Sequence, residues 1–178
     1  MRVLAARPLH LRFPPGVLIV HEWQGSPRAA GCRFAIVVSR FNPDITEGLL
    51  SGARAALAEA DVRDEDVTLV RVPGAFELPI AAQRLAESGR FDGVICLGCL
   101  IKGDTMHFEY IADAATRGIA EIGLATGVPV TFGVLTTLTD EQAEVRARPG
   151  DGNKGREAAT AAVEMATLLR AIDGGPAA

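Results

Sequence analysis

The feature that most constrains this 178-residue chain is an alternation: short apolar runs of strand length take turns with longer segments of helical period. Phe34-Ala35-Ile36-Val37-Val38 is continuously apolar, the mark of a strand covered on both faces. Asp44 to Ala60 then places Ile45, Leu49, Leu50, Ala53, Ala56, Leu57 and Ala60 at helical spacing, with Asp44 as the expected N-cap. Val67 to Val72 reads as a second strand. Pro73-Gly74 turns the chain into a helix from near Phe76, where Pro79 is tolerated in the first turn. Gly93 to Ile101 is a third strand, ended by Gly103. Asp104 to Thr126 is a long helix with Ile111, Ala115, Ile119 and Ile122 on one face. Val128 to Leu135 supplies a fourth strand. Thr139 to Arg146 and Lys154 to Arg170 close the chain as two helices around the turn-rich segment 148–152.

Strands that alternate with helices predict one α/β domain: a three-layer α/β/α sandwich on a four-stranded parallel sheet, flavodoxin-like in type, over residues 32–172. Residues 1–31 carry Pro8, Pro14, Pro15, Gly16, Gly25, Pro27 and Gly31 around one β-like run, Val17 to Val20. They are expected to form an N-terminal extension, partly flexible or docked on a neighbouring subunit, and residues 173–178 a flexible tail.

Composition narrows the function classes. Eighteen Lys and Arg against 22 Asp and Glu leave a net charge of -4, which disfavours a general nucleic-acid binder. The longest apolar run, Val94 to Ile101, falls far short of the ~20 residues a bilayer demands. The first residues begin like a signal peptide, but Arg7, His10 and Arg12 interrupt the apolar stretch, so a cytoplasmic protein is expected. Cys96 and Cys99 make a CxxC spacing inside the third strand. Side chains three apart on a strand point to opposite faces, and no second Cys or His pair follows, so neither a metal site nor a redox pair is expected.

In open parallel sheets ligands gather at the carboxyl ends of the strands. There the chain offers Ser39-Arg40-Phe41-Asn42, then Val72 to Glu77, then Lys102 to His107, with Phe132 near the middle of the fourth strand. Two aromatics, a carboxylate, a histidine and a helix N-terminus are thus expected at one edge, a setting for a flat polar ring and an anion. The amides of Gly103, Asp104 and Thr105 would open the long helix and meet a single phosphate, with Asp104 capping the Met106 or His107 amide. No Walker loop and no GxGxxG follows the first strand, which disfavours a nucleoside triphosphate or dinucleotide. Each residue also has a plainer role. Phe41 and Phe132 could be core residues, Glu77 a first-turn dipole carboxylate, His107 a structural histidine, and Arg146 and Lys154 solvated surface cations.

Several segments in order, Arg40-Phe41-Asn42, Val72-Pro73-Gly74-Ala75-Phe76-Glu77-Leu78-Pro79, Ile101-Lys102-Gly103-Asp104-Thr105-Met106-His107-Phe108-Glu109-Tyr110, Gly127 to Gly133 and Gly152-Asn153-Lys154-Gly155, resemble those of lumazine synthases. The resemblance covers about Arg33 to Arg170. It implies a cofactor-free transferase that condenses 5-amino-6-(D-ribitylamino)uracil with 3,4-dihydroxy-2-butanone 4-phosphate to 6,7-dimethyl-8-ribityllumazine, the penultimate step of riboflavin biosynthesis. It further implies that Phe41 stacks on the pyrimidine, and that Ala75, Phe76 and Glu77 hold the ring and its ribityl chain. Cys99, Leu100 and Ile101 would meet the ring edge through their backbone, and Phe132 would close the pocket from an adjacent subunit. Asp104, Thr105, Arg146 and Lys154 would hold the phosphate, and His107 would move protons. The implied assembly is a homopentamer, in some relatives a 60-subunit icosahedral shell able to enclose a riboflavin synthase. The short loop before Lys154 leans towards a shell, while Arg148-Pro149-Gly150-Asp151 departs from the small residues expected there. The rival functions are an archaeal-type riboflavin synthase, a flavin- or lumazine-binding carrier and a shell protein without turnover.

Overall fold

The computed structural model describes residues 22–174. The β-like run Val17 to Val20 and residues 175–178 lie outside the described residues.

Four parallel strands, β1 (Phe34–Ser39), β2 (Val67–Val72), β3 (Gly93–Ile101) and β4 (Val130–Thr137), stand in the order β2-β1-β3-β4. The α/β sandwich expected from the alternation is the observed fold. Helices α1 (Pro43–Glu59), α4 (Asp140–Ala147) and α5 (Lys154–Asp173) cover one face of the sheet, and α2 (Leu78–Glu87) and α3 (His107–Thr126) the other. Side-chain alternation divides the central strands between the two layers. Phe34, Ile36, Val38, Ile95, Leu97 and Cys99 pack towards α1 and α5, while Ala35, Val37, Val94 and Cys96 pack towards α2 and α3. Cys96 and Cys99 therefore sit on opposite faces as free, buried thiols. Burial pushes Cys96 up to about 12 and Cys99 to about 11.

Close approach of α1 to α5 depends on missing side chains. A Cβ at Gly155 would overlap the Leu49 carbonyl oxygen, and one at Gly52 the Asn153 side-chain amide. Asn153 is fully buried at the start of α5. Its Nδ2 donates to the carbonyls of Gly48 (3.0 Å), Ala147 (2.8 Å) and Arg148 (3.1 Å), and its Oδ1 accepts from the Arg156 amide (3.0 Å). One side chain thus caps α5 and ties it to α1 and α4. The segment before β1 lies on its own chain: the Ser26 amide donates to Thr167 Oγ1 at 2.8 Å, and the Ala29 amide to the Ala60 carbonyl at 2.8 Å.

Several boundaries differ from expectation, and those of α1, α3 and β4 have a local reason. Asn42, not Asp44, is the N-cap of α1: it adopts φ 55° and ψ 59°, and its carbonyl accepts from Ile45 and Thr46 while Pro43 takes the first helical position. Helix α3 begins at His107, three residues after the expected Asp104, because 102–106 leaves the sheet as an extended loop and bend. Strand β4 begins and ends two residues later than the apolar run suggests, since its ladder with β3 runs through Ile101↔Thr137.

Candidate active site

The chain passes from β1 to β2 in one direction and to β3 and β4 in the other, so the topological switch lies between the carboxyl ends of β1 and β3, where ligands bind in such sheets. The tripeptide after β1 is pinned across that gap. The Arg40 amide donates to the Val72 carbonyl of β2 at 2.8 Å, and the Phe41 amide to the buried Ser39 Oγ at 3.1 Å. On the other side Asn42 Nδ2 donates to the Cys99 carbonyl of β3 at 3.1 Å. Held this way, the Phe41 ring stands 65% exposed. Phe76, in the 3₁₀ turn Ala75–Glu77 that leads into α2, is 57% exposed, while Ala75 beneath it is buried. Two phenyl groups this exposed, both at the carboxyl end of the sheet, make this the candidate surface for a ligand or a partner. The Glu77 carboxylate turns back to Gly74, where a Cβ would stand 3.1 Å from its Oε2.

Beside this shelf β3 outruns β1. Their ladder ends at Val38↔Leu97, whereas β3 continues beside β4 to Ile101↔Thr137. The Lys102 amide points at β4, donating to the Thr137 carbonyl at 2.9 Å, and the Cys99 carbonyl points at the β1 side, where Asn42 meets it. By the alternation of a strand, the N–H and C=O of Ile101 also face the β1 side, beyond the last β1 partner. An amide donor and a carbonyl acceptor thus stand next to the aromatic shelf, as an amide-like ring edge requires. Of the segment Cys99 to Ile101, Ile101 offers the open pair; Cys99 already accepts one bond.

The loop after β3 carries Asp104, Thr105 and the exposed His107 to the same end of the sheet. The expected cap is corrected here. The hydroxyl of Thr105, not the carboxylate of Asp104, faces the His107 amide, at 3.5 Å. Since α3 starts only at His107, the amides of 103–105 belong to a loop and not to the helix mouth. That loop is bracketed by an ion pair: Lys102 Nζ stands 2.8 Å from Glu109 Oε1. The hydrogen bond from Lys102 holds the Glu109 carboxyl below its usual range. Glu109 Oε2 is buried and has no partner among the described residues.

The remaining predicted residues do not join this cleft. Phe132 is paired in register with Cys96, well below the strand ends, on the edge strand β4, inside the fourth strand as its sequence position suggests. Phe132 lines an open groove of about 460 Å³ along the outer side of β4, together with Arg146 and Lys154. Arg146 Nη1 donates to the Gln142 carbonyl at 2.9 Å and has no carboxylate partner among the described residues. Lys154 is held by Glu157 at 2.7 and 2.8 Å. One chain therefore presents two separated groups: rings, carboxylate and imidazole at the switch point, and a ring with two cations along β4. Asn42, which ties the first group together, was overlooked because an Asn before a Pro reads as ordinary turn chemistry; its left-handed tolerance was the available signal.

The chain matches the family model described as 6,7-dimethyl-8-ribityllumazine synthase over residues 31–170, which takes in every element from β1 to most of α5. With both the parallel sheet and the shelf at its switch point in place, this chain belongs to the 6,7-dimethyl-8-ribityllumazine synthase family.

Proposed function

We propose that the protein condenses 5-amino-6-(D-ribitylamino)uracil with 3,4-dihydroxy-2-butanone 4-phosphate to 6,7-dimethyl-8-ribityllumazine, the penultimate step of riboflavin biosynthesis. The observation that carries the reading is the shelf itself: two exposed phenyl rings beside the open N–H and C=O of Ile101 and the carboxylate of Glu77. A pyrimidinedione has two flat faces and an edge of alternating N–H and C=O, and the shelf offers a complement to each. Phe41 stacks on the ring. Ala75 and Phe76 bound it, Ile101 meets its edge through its backbone N–H and C=O, and Glu77 accepts from ribityl hydroxyls.

The chemistry needs no electron transfer. The 5-amino group attacks the ketone and water leaves as an imine forms; phosphate is then eliminated; attack of the ribitylamino nitrogen on the remaining carbonyl closes the ring and releases a second water. Proton transfers accompany each step, and the exposed imidazole of His107 supplies and takes them. Asp104 and Thr105, through the 103–105 amides, hold the phosphate. Much of the acceleration comes from holding two substrates in one orientation, worth up to ~7–11 kcal/mol in favourable cases.

The second group of residues completes the cleft from a neighbouring subunit. Phe132, Arg146 and Lys154 flank an edge strand, on a separate part of the chain from the shelf, and both surfaces are open. A second copy that lays its β4 edge against the shelf brings a covering ring and the Arg146 guanidinium to the phosphate end. A ring of subunits related head to tail satisfies every such surface, consistent with a homopentamer in the cytoplasm, alone or as the unit of a 60-subunit shell that could enclose a riboflavin synthase. The test is direct: purified protein receives both substrates, and lumazine absorbance and released phosphate are followed together. Equal amounts of the two support the synthase. Flavin binding with neither product identifies a carrier instead.

A further inference from the structure

We infer that Asn42 is a positioning residue for pyrimidine recognition, setting the gap between the stacking ring of Phe41 and the polar edge of Ile101. The inference rests on the synthase reading above and goes beyond it. Four observations meet at this one residue. Its backbone is left-handed, with φ 55° and ψ 59°, a region Asn tolerates better than most side chains. Its carbonyl starts α1, accepting from the amides of Ile45 at 3.1 Å and Thr46 at 3.0 Å. Its Nδ2 reaches Cys99 of β3 at 3.1 Å. That bond falls two residues past Leu97, where the β1–β3 ladder has ended, so the side chain continues the ladder after the backbone has stopped.

The consequence is geometric. Without the side-chain bridge no hydrogen bond among the described residues joins the Phe41 loop to β3: the Arg40 amide bonds to β2 and the Phe41 amide to Ser39 of β1. The bridge also occupies the Cys99 carbonyl, so that the next groups on that side, the N–H and C=O of Ile101, are the ones left for the ring edge. Asn42 thereby decides both how far the ring face stands from the edge and which donor–acceptor pair the ring meets.

Two variants separate position from folding. Asn42→Gly keeps the left-handed backbone at no steric cost and removes the donor. Asn42→Asp keeps the shape and replaces the donor with an oxygen that repels the Cys99 carbonyl. The probe is 6,7-dimethyl-8-ribityllumazine titrated by its own fluorescence, with KM measured separately for the two substrates and Tm recorded for each variant. Both variants are expected to weaken lumazine binding and raise KM for the pyrimidine substrate about tenfold, or about 1.4 kcal/mol, while KM for the phosphate substrate stays at the wild-type value. Wild-type affinity in both variants overturns the inference, and so does a parallel rise in both KM values tracking a lower Tm. Failure of the wild-type protein itself to make lumazine would instead overturn the synthase reading.

Discussion

His107 stands exposed at the first position of α3, and its ring makes no hydrogen bond among the described residues. Under the proposed chemistry His107→Ala lowers kcat by about 10²-fold, the low end of what acid–base catalysis contributes. Orientation of the two substrates survives the change, so turnover persists. Steady-state kinetics with kcat unaltered removes the imidazole from the proton path. Arg146 and Lys154 differ in a way that exposure alone conceals. Lys154 already spends its charge on Glu157, whereas among the described residues Arg146 meets the Gln142 carbonyl and no carboxylate. Arg146→Ala is expected to raise KM for the phosphate-bearing substrate by roughly 10- to 100-fold, the value of a charge-assisted hydrogen bond. Lys154→Ala should do less, and an equal or larger effect from Lys154 reverses that ranking. The cysteines supply a check on the core. Thiols held at about 12 and about 11 stay protonated at neutral pH, so Cys96 and Cys99 resist iodoacetamide in the folded protein. Rapid alkylation of either under native conditions would place it outside the buried strand.

Among the elements, the α1–α5 contact is the tightest test of how sequence becomes packing. Gly155 lies in the first turn of α5, where Ala would ordinarily favour a helix by up to ~1 kcal/mol. Here a Cβ would overlap the Leu49 carbonyl, and the neighbour is backbone that cannot swing aside. Gly155→Ala is therefore expected to lower Tm, and a Tm at or above wild type in a thermal scan contradicts the close contact. Periodicity located α5 correctly to within a few residues and gave no hint of this glycine, because helical spacing records which positions are apolar and not how near two helix axes come. Helix starts were the least legible feature. Asp44 and Asp104 are both good cap residues by type, yet Asn42 takes the first position through its left-handed backbone and Thr105 faces the amide at the second. Several polar residues can cap a given turn, and the choice among them is made by where the preceding strand releases the chain.

At the scale of the whole molecule the two groups of site residues divide across one chain, and the proposed cleft is assembled from two. Complementation follows from that. Phe41→Asp spoils the shelf and Arg146→Glu the groove, so each variant alone should be inactive. Refolded together in equal amounts, they should recover about a quarter of wild-type sites, since a site is intact whenever the shelf comes from one variant and the groove from the other. No recovery from mixed oligomers would mean that one chain holds its whole site. The α/β order, the parallel sheet, the buried strands and the residues that follow each strand were all legible in the chain's own pattern, because apolar period and strand-end position are local properties. It took the folded arrangement to put Phe132 with Arg146 and Lys154 along the β4 edge, and to let β3 outrun β1 so that Ile101 lies beyond the last β1 partner. Those outcomes depend on strand order and register, which arise from pairing between segments far apart in the chain and leave no mark in any one of them.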